Sequence, residues 1–102
     1  MRDTRLKRQA AEILLRAADY IRRYGWQEEG MGKPGAPRCS MGALDSACPR
    51  GEWDPAVAEL LYETLNGQLG GLSLTQYNHK FLQSGENVAR LYERTAKALA
   101  NG

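Results

Sequence analysis

Three stretches of the chain repeat apolar residues at three- and four-residue steps. Such steps, at about 100° per residue, keep the side chains on one stripe, so each stretch predicts an amphipathic helix. The first runs from Asp3 or Thr4 to Tyr24 and carries Leu6, Ala10, Ile13, Leu14, Ala17, Ile21 and Tyr24. Asp3 or Thr4 can cap its start, and Gly25 stands where a left-handed turn is wanted, letting Trp26 fold back toward Ile21. The second runs from Asp54-Pro55 to about Asn66 on Val57, Leu60, Leu61 and Leu65. Asp54 caps it, Pro55 costs nothing at the first position, and Asn66-Gly67 is expected to end it. The third opens on Ser84 and reaches about Ala100, with Val88, Leu91, Tyr92, Thr95, Ala96 and Leu99 on its stripe.

Between the first two lies Cys39 to Cys48, a run of small residues flanked by glycine-containing turns, which predicts a short buried helix around which the rest is organised. Ser40 is its expected N-cap, Met41 and Leu44 share a face, and Pro49 blocks its continuation. Pro49-Arg50-Gly51 then makes a turn, and Trp53 packs at the start of the next helix. Residues 27–38 hold Gly30, Gly32, Pro34, Gly35 and Pro37 without apolar periodicity, and predict a flexible loop. Gln68 to Ser73 is a glycine-broken connection over Leu69 and Leu72. Leu74 to Leu82 reads as one or two helical turns with Leu74, Tyr77, Phe81 and Leu82 inward. No segment alternates apolar and polar residues over the length of a strand. The expectation is therefore an all-α single domain, residues 1–102, of four or five helices, with the two longer terminal helices packed around a short central one.

Composition narrows the class without naming a function. An apolar fraction of 42% with 25% charged residues is that of an ordinary soluble globular protein. No apolar run is long enough to span a membrane, and the N-terminus lacks the uninterrupted apolar stretch of a secretory signal. With only two cysteines besides, the expected location is the reducing cytoplasm. The net charge of +2 is unevenly spread: residues 1–38 carry nine Lys/Arg against five Asp/Glu, whereas residues 39–102 carry five against seven. The basic character belongs to the front of the chain. On the first helix it lies opposite the apolar stripe, where Arg5, Arg8, Glu12, Leu15, Arg16, Asp19, Arg22 and Arg23 form the outer face. Pairs four apart, Arg8 with Glu12, Glu12 with Arg16 and Asp19 with Arg23, suit solvated ion pairs. On the last helix the same spacing pairs Glu86 with Arg90 and Glu93 with Lys97.

The candidate chemistry is sparse. Nine helical residues at about 1.5 Å each would put Cys39 and Cys48 roughly 13 Å apart, whereas a disulfide needs Cα atoms within about 7 Å. The thiols are read as buried and inert. Zinc would need four ligands in close pairs, and the chain offers two distant cysteines and the single His79, so no metal is expected. Gly30, Gly32 and Lys33 lack the preceding strand and the Gly-Lys-Ser/Thr ending of a phosphate loop, and no other segment implies a cofactor. One histidine, no Ser-His-Asp spacing and no paired carboxylates leave an enzyme the weakest reading.

Several short motifs run in a familiar order: Ala17-Ala18-Asp19-Tyr20-Ile21 into Gly25-Trp26, then Cys39-Ser40-Met41-Gly42-Ala43-Leu44, then Tyr77-Asn78, then Ser84 opening the terminal helix. In this the chain resembles a family of small uncharacterised proteins of actinobacteria and their phages. That family's pattern is a helix ending in Gly-Trp, a Cys-x-x-Gly-Ala-Leu helix, a Trp-Asn-Asp stretch and a final helix led by Arg-Thr. This chain departs from it with Tyr77-Asn78-His79 and with Gln83-Ser84. The resemblance implies the helical fold and a phage or actinobacterial origin. Gly25, Trp26, Cys39, Gly42, Tyr77 and Asn78 are the motif residues, and packing or capping roles are expected for them.

Two binding functions follow. An arginine-rich helix face with an apolar residue in its midst has the composition of an interface centre, so Arg8, Leu15, Arg16 and Arg23 are expected to bind another protein, with a host factor of a phage product as the candidate partner. The alternative is nucleic-acid binding by Arg5, Arg8, Arg16 and Arg23, supported by Gln76, Asn78, His79 and Lys80. Against the alternative stand a pI of only about 8.7 and a connection from Gly67 to Ser73 too long for a helix-turn-helix turn.

Overall fold

In the computed structural model the described residues are 4–27, 33, 35–48, 54–70 and 85–101. They form four helices, α1 (Thr4–Tyr24), α2 (Ser40–Ala47), α3 (Pro55–Gln68) and α4 (Gly85–Asn101). The long terminal helices α1 and α4 pack on each other, and α1 also packs on both α2 and α3. The element on which the others converge is therefore α1 and not the cysteine-flanked helix. Its length explains this: 21 residues at about 1.5 Å each give roughly 30 Å of apolar stripe, enough to serve three partners, where eight residues serve one or two.

The core is the predicted one in its main parts. Leu14, Leu44, Leu61, Leu65, Leu91 and Tyr92 are all buried to within 1% of completely. Ala18, which sits four residues after Leu14 and three before Ile21, is buried as well. Tyr24 is not: it is 40% exposed, because the chain turns away at Gly25 and leaves the last residue of α1 at the rim. There its ring lies 4.8 Å from that of Tyr20, with the Arg23 guanidinium 5.7 Å from its centre.

Gly25 has φ +95°, a conformation open to glycine, and its amide donates to the Ile21 carbonyl at 2.8 Å. Trp26 then makes a single parallel bridge with Arg38, and the Gln27 amide donates to the Arg38 carbonyl at 3.1 Å. The described residues within 27–38 are tied down on α1 as well. The Tyr20 hydroxyl donates to the Ala36 carbonyl at 2.7 Å and accepts from the Gly35 amide at 3.1 Å.

α2 begins one residue earlier in its capping than Ser40 would give. Cys39 is the N-cap, its sulfur accepting from the Gly42 amide at 3.4 Å, and Ser40 is the first helical residue. Ser40 is instead fully buried: its hydroxyl accepts from the Trp26 indole at 3.2 Å, and its carbonyl accepts from the Tyr92 hydroxyl at 2.7 Å. Three segments far apart in sequence thus meet at one serine. Arg38, with no apolar neighbour pattern to announce it, is only 7% exposed and fixes the approach to α2 by donating to Ser46 Oγ at 2.5 Å and facing Asp45 at 3.6 Å.

α3 starts as expected, Asp54 Oδ1 accepting from the Ala56 amide at 2.8 Å, but runs past Asn66-Gly67 to Gln68. Leu69 is the C-cap and is buried, which carries the helix over the glycine, and the left-handed residue is Gly70 at φ +65°. The side chain of Met41, the turn 49–51, Trp53, Leu72, the turns expected over 74–82 and the Ser84 cap lie outside the described residues.

α4 meets α1 at a charged clasp. The Arg22 guanidinium takes both carboxylates across the interface, Glu86 at 2.9 Å and Glu93 at 2.7 Å, while Glu86 also reaches Arg90 at 3.4 Å. Glu93 is thus spent on Arg22 rather than on Lys97, because a planar guanidinium can hold two carboxylates at once. The Arg22 hydrogen bonds hold both carboxyl groups below their usual range. A depressed carboxylate contributes stability that is present above the unfolded value, about 4.3 for glutamate, and is lost as pH falls through the lower folded one. Arg22 stays charged throughout. The stability lost on Arg22→Gln is accordingly expected to be measurable at neutral pH and low salt, to shrink in high salt, and to diminish as pH falls below the usual glutamate range. Urea titrations of both proteins across that range check this, and a difference that persists at low pH would show that Arg22 acts by packing alone.

Candidate functional site

The outward ridge of α1 runs between two surface grooves. On the side of α4, Thr4, Lys7, Arg8, Ala11, Glu12 and Leu15 face Leu99 and Ala100 across a groove of about 420 Å³. On the side of α2 and α3, Gln9, Glu12, Ile13 and Arg16 face Cys48, Asp54 and Val57 across a smaller cleft of about 200 Å³. Glu12 lines both and stands 4.0 Å from Arg16.

This geometry sorts the residues expected from sequence. Leu15 is 47% exposed, one of two large apolar side chains so placed among the described residues. Arg8 is exposed and shares the α4 groove with it. Arg16 belongs to the other cleft, Arg23 sits over Tyr24 near the far end of the helix, and Arg5 is exposed one turn before Arg8. The four arginines therefore do not form one cluster. Of the proposed protein-binding set, only Arg8 and Leu15 are brought into one groove. Asp19 and Arg23 form no ion pair, and Arg22 is committed to α4.

The motif residues that are described are devices of the fold. Gly25 makes the turn, Trp26 donates to Ser40, Cys39 caps α2, and Gly42, buried, supplies the amide that Cys39 accepts. Tyr77 and Asn78, like Gln76, His79 and Lys80, lie outside the described residues. Neither cysteine is in a disulfide, and neither is fully buried: each has intermediate exposure, because the cap position of Cys39 and the cleft position of Cys48 lie at the two ends of α2.

Sequence periodicity gives no sign of Arg38, of the Tyr20 hydroxyl, or of the Tyr92 to Ser40 bond. Each is a polar contact between distant segments, and only the fold brings them together. Burial pushes the Tyr92 hydroxyl well above its usual range, so it stays protonated and donates. Every buried side-chain nitrogen and oxygen among the described residues has a partner, so these interior polar groups are spent on the fold. Among the described residues there is no group of three His, Cys, Asp or Glu placed to hold a metal, and no helix long and apolar enough to cross a membrane.

No curated protein and no solved structure matches the chain. The model of the family of unknown function DUF6197 matches residues 6–98, from the first turn of α1 into the last of α4, and the chain belongs to that family.

Proposed function

We propose that this small helical protein works by binding another protein through the outer face of α1, with Leu15 as the anchor. The observation that supports this is the position of Leu15: it is half exposed on an otherwise charged ridge, beside the apolar floor of Ala11, Leu99 and Ala100 and next to Arg8. A side chain so placed loses little by ordering and gains by leaving water, as the centre of an interface does. The phage and actinobacterial resemblance makes a cytoplasmic host factor the partner to look for.

Nucleic-acid binding by the same helix is the competing reading, favoured by its six basic residues against two acidic ones. The two make opposite demands. Phosphate binding would draw on Arg5, Arg8, Arg16 and Arg23 together, weaken for every sequence when they are replaced, and fall steeply with salt. Protein binding would depend on Leu15, whose truncation should cost about 2 kcal/mol or more, while rim arginines chiefly alter the on-rate. We expect Leu15→Ala to abolish capture of a partner from an actinobacterial lysate, and duplex DNA to bind no tighter than roughly 100 μM at physiological salt. Micromolar DNA binding that disappears with the four arginines and survives Leu15→Ala would replace this function with the other.

A further inference from the structure

We infer that the outer ridge of α1 pairs with the same ridge of a second copy of this chain, the two helices antiparallel about a two-fold axis beside the turn from Ala11 to Leu15. This rests on the reading of that ridge as a protein-binding face and names the partner. Arg8, Glu12, Arg16 and Asp19 are all exposed along it, and their signs alternate. In an antiparallel two-fold pair each residue meets the one equally far beyond the axis on the other copy. The midpoint of Arg8 and Asp19 falls between residues 13 and 14, and that of Glu12 and Arg16 falls at residue 14. One axis therefore sets Arg8 against Asp19 of the second copy and Glu12 against its Arg16, each twice by symmetry. A parallel pair would set like against like at every position.

Helical phase adds an apolar half to the seam. At about 100° per residue, Arg8 and Asp19 lie roughly 20° apart around the helix and Glu12 and Arg16 roughly 40° apart, all on one side of the ridge. The two-fold keeps each residue on its own side, so partners must share one. Leu15 and Ala11 share the other side, again roughly 40° apart. The same axis thus seats Leu15 on Ala11 of the second copy, at the groove walled by Leu99 and Ala100. Glu12 stands 4.0 Å from Arg16 of its own chain with both side chains more than half exposed, a contact loose enough to be shared across the seam. Arg5 and Arg23 are the like-charged pair that this axis also brings to face each other. They stand roughly 13 Å from it, where helices crossing at about 20° have drawn roughly 5 Å farther apart than at the axis. Arg23 moreover leans over the Tyr24 ring.

Sedimentation equilibrium of the full chain from about 10 μM to about 1 mM tests this. The chain is expected to dimerise, and Arg8→Glu or Asp19→Arg alone to weaken the dimer by about tenfold or more, since each sets like charges together twice. Arg8→Glu combined with Asp19→Arg exchanges the two signs and should restore the dimer to within about threefold of the parent. Leu15→Ala should weaken it by about tenfold or more. All three positions are exposed, and circular dichroism with a thermal melt verifies that the fold is kept. A chain that stays monomeric throughout, while lysate capture still depends on Leu15, overturns the self-pairing and leaves the protein-binding reading standing. A dimer that the exchanged variant fails to restore also overturns the pairing, because the charges then do not meet in this register. A dimer and a capture both indifferent to Leu15 overturn the pairing and the protein-binding reading together.

Discussion

Leu91→Ala is expected to lower the free energy of unfolding by about 2–5 kcal/mol. Leu91 is 1% exposed on α4 and belongs to the core cluster to which α1 and α3 also contribute, so its truncation leaves a void in close-packed surroundings rather than a site that water can fill. Ile13→Ala should fall at the low end of the same range, because Ile13 is 7% exposed and lines the cleft beside Cys48, where water can follow the deleted atoms. Arg16→Ala, on a side chain 65% exposed, should cost under about 0.5 kcal/mol. Urea unfolding of the three variants measures this through the midpoint at unchanged slope. Equal, small effects at all three positions would mean that the faces of α1 and α4 are wrongly oriented.

The helices were legible because their information is local. Val57, Leu60, Leu61 and Leu65 announce a buried stripe by spacing alone, and Asp54-Pro55 announces its start. Even so, local signals competed at the other end of α3. Asn66-Gly67 is a good stop, but stopping there would have taken Leu69 out of the core, and burial of a leucine, about 2 kcal/mol, outweighs a glycine's cost of about 1 kcal/mol inside a helix. The helix therefore continues until the glycine at 70.

Long-range polar contacts were not legible. A serine before a helix reads as a cap, and only the arrival of Trp26 and Tyr92 at Ser40 makes Cys39 the better placed residue to close the first turn. Arg38 reads as one more charge in a proline-glycine stretch until Ser46 and Asp45 are seen to receive it. The candidate site shows the same division. Exposure of Leu15 and Arg8 followed from helical phase, whereas their grouping with Leu99 and Ala100, apart from Arg16 and Arg23, depended on where α4 ends.

Gly85→Ala is expected to destabilise the protein by about 1–3 kcal/mol, although helix propensity and the entropy of the unfolded chain both argue for a gain of up to about 1 kcal/mol. Gly85 opens α4 with ordinary negative φ, so backbone conformation does not require glycine there. Space does. A Cβ at this position would lie 2.8 Å from Cβ of Trp26 and 2.9 Å from Cγ2 of Ile21, closer than real side chains approach. Neither neighbour is a flexible end that can swing aside. The Trp26 Cβ is held by its own backbone, which is bridged to Arg38 while the indole is bonded to Ser40, and the Ile21 methyl is on a β-branched carbon with few rotamers. The added methyl must therefore push α4 away from the end of α1, loosening the burial of Val88 and the reach of Arg22 to Glu86 along with it. Removing part of the obstruction tests the cause: in Gly85→Ala combined with Ile21→Ala, the loss should be smaller than the sum of the two single losses by about 0.5–1 kcal/mol, since the new methyl occupies room that the isoleucine has vacated. Strict additivity, or a Gly85→Ala protein more stable than the parent, would mean that the two helices do not meet as closely at this turn as the distances require.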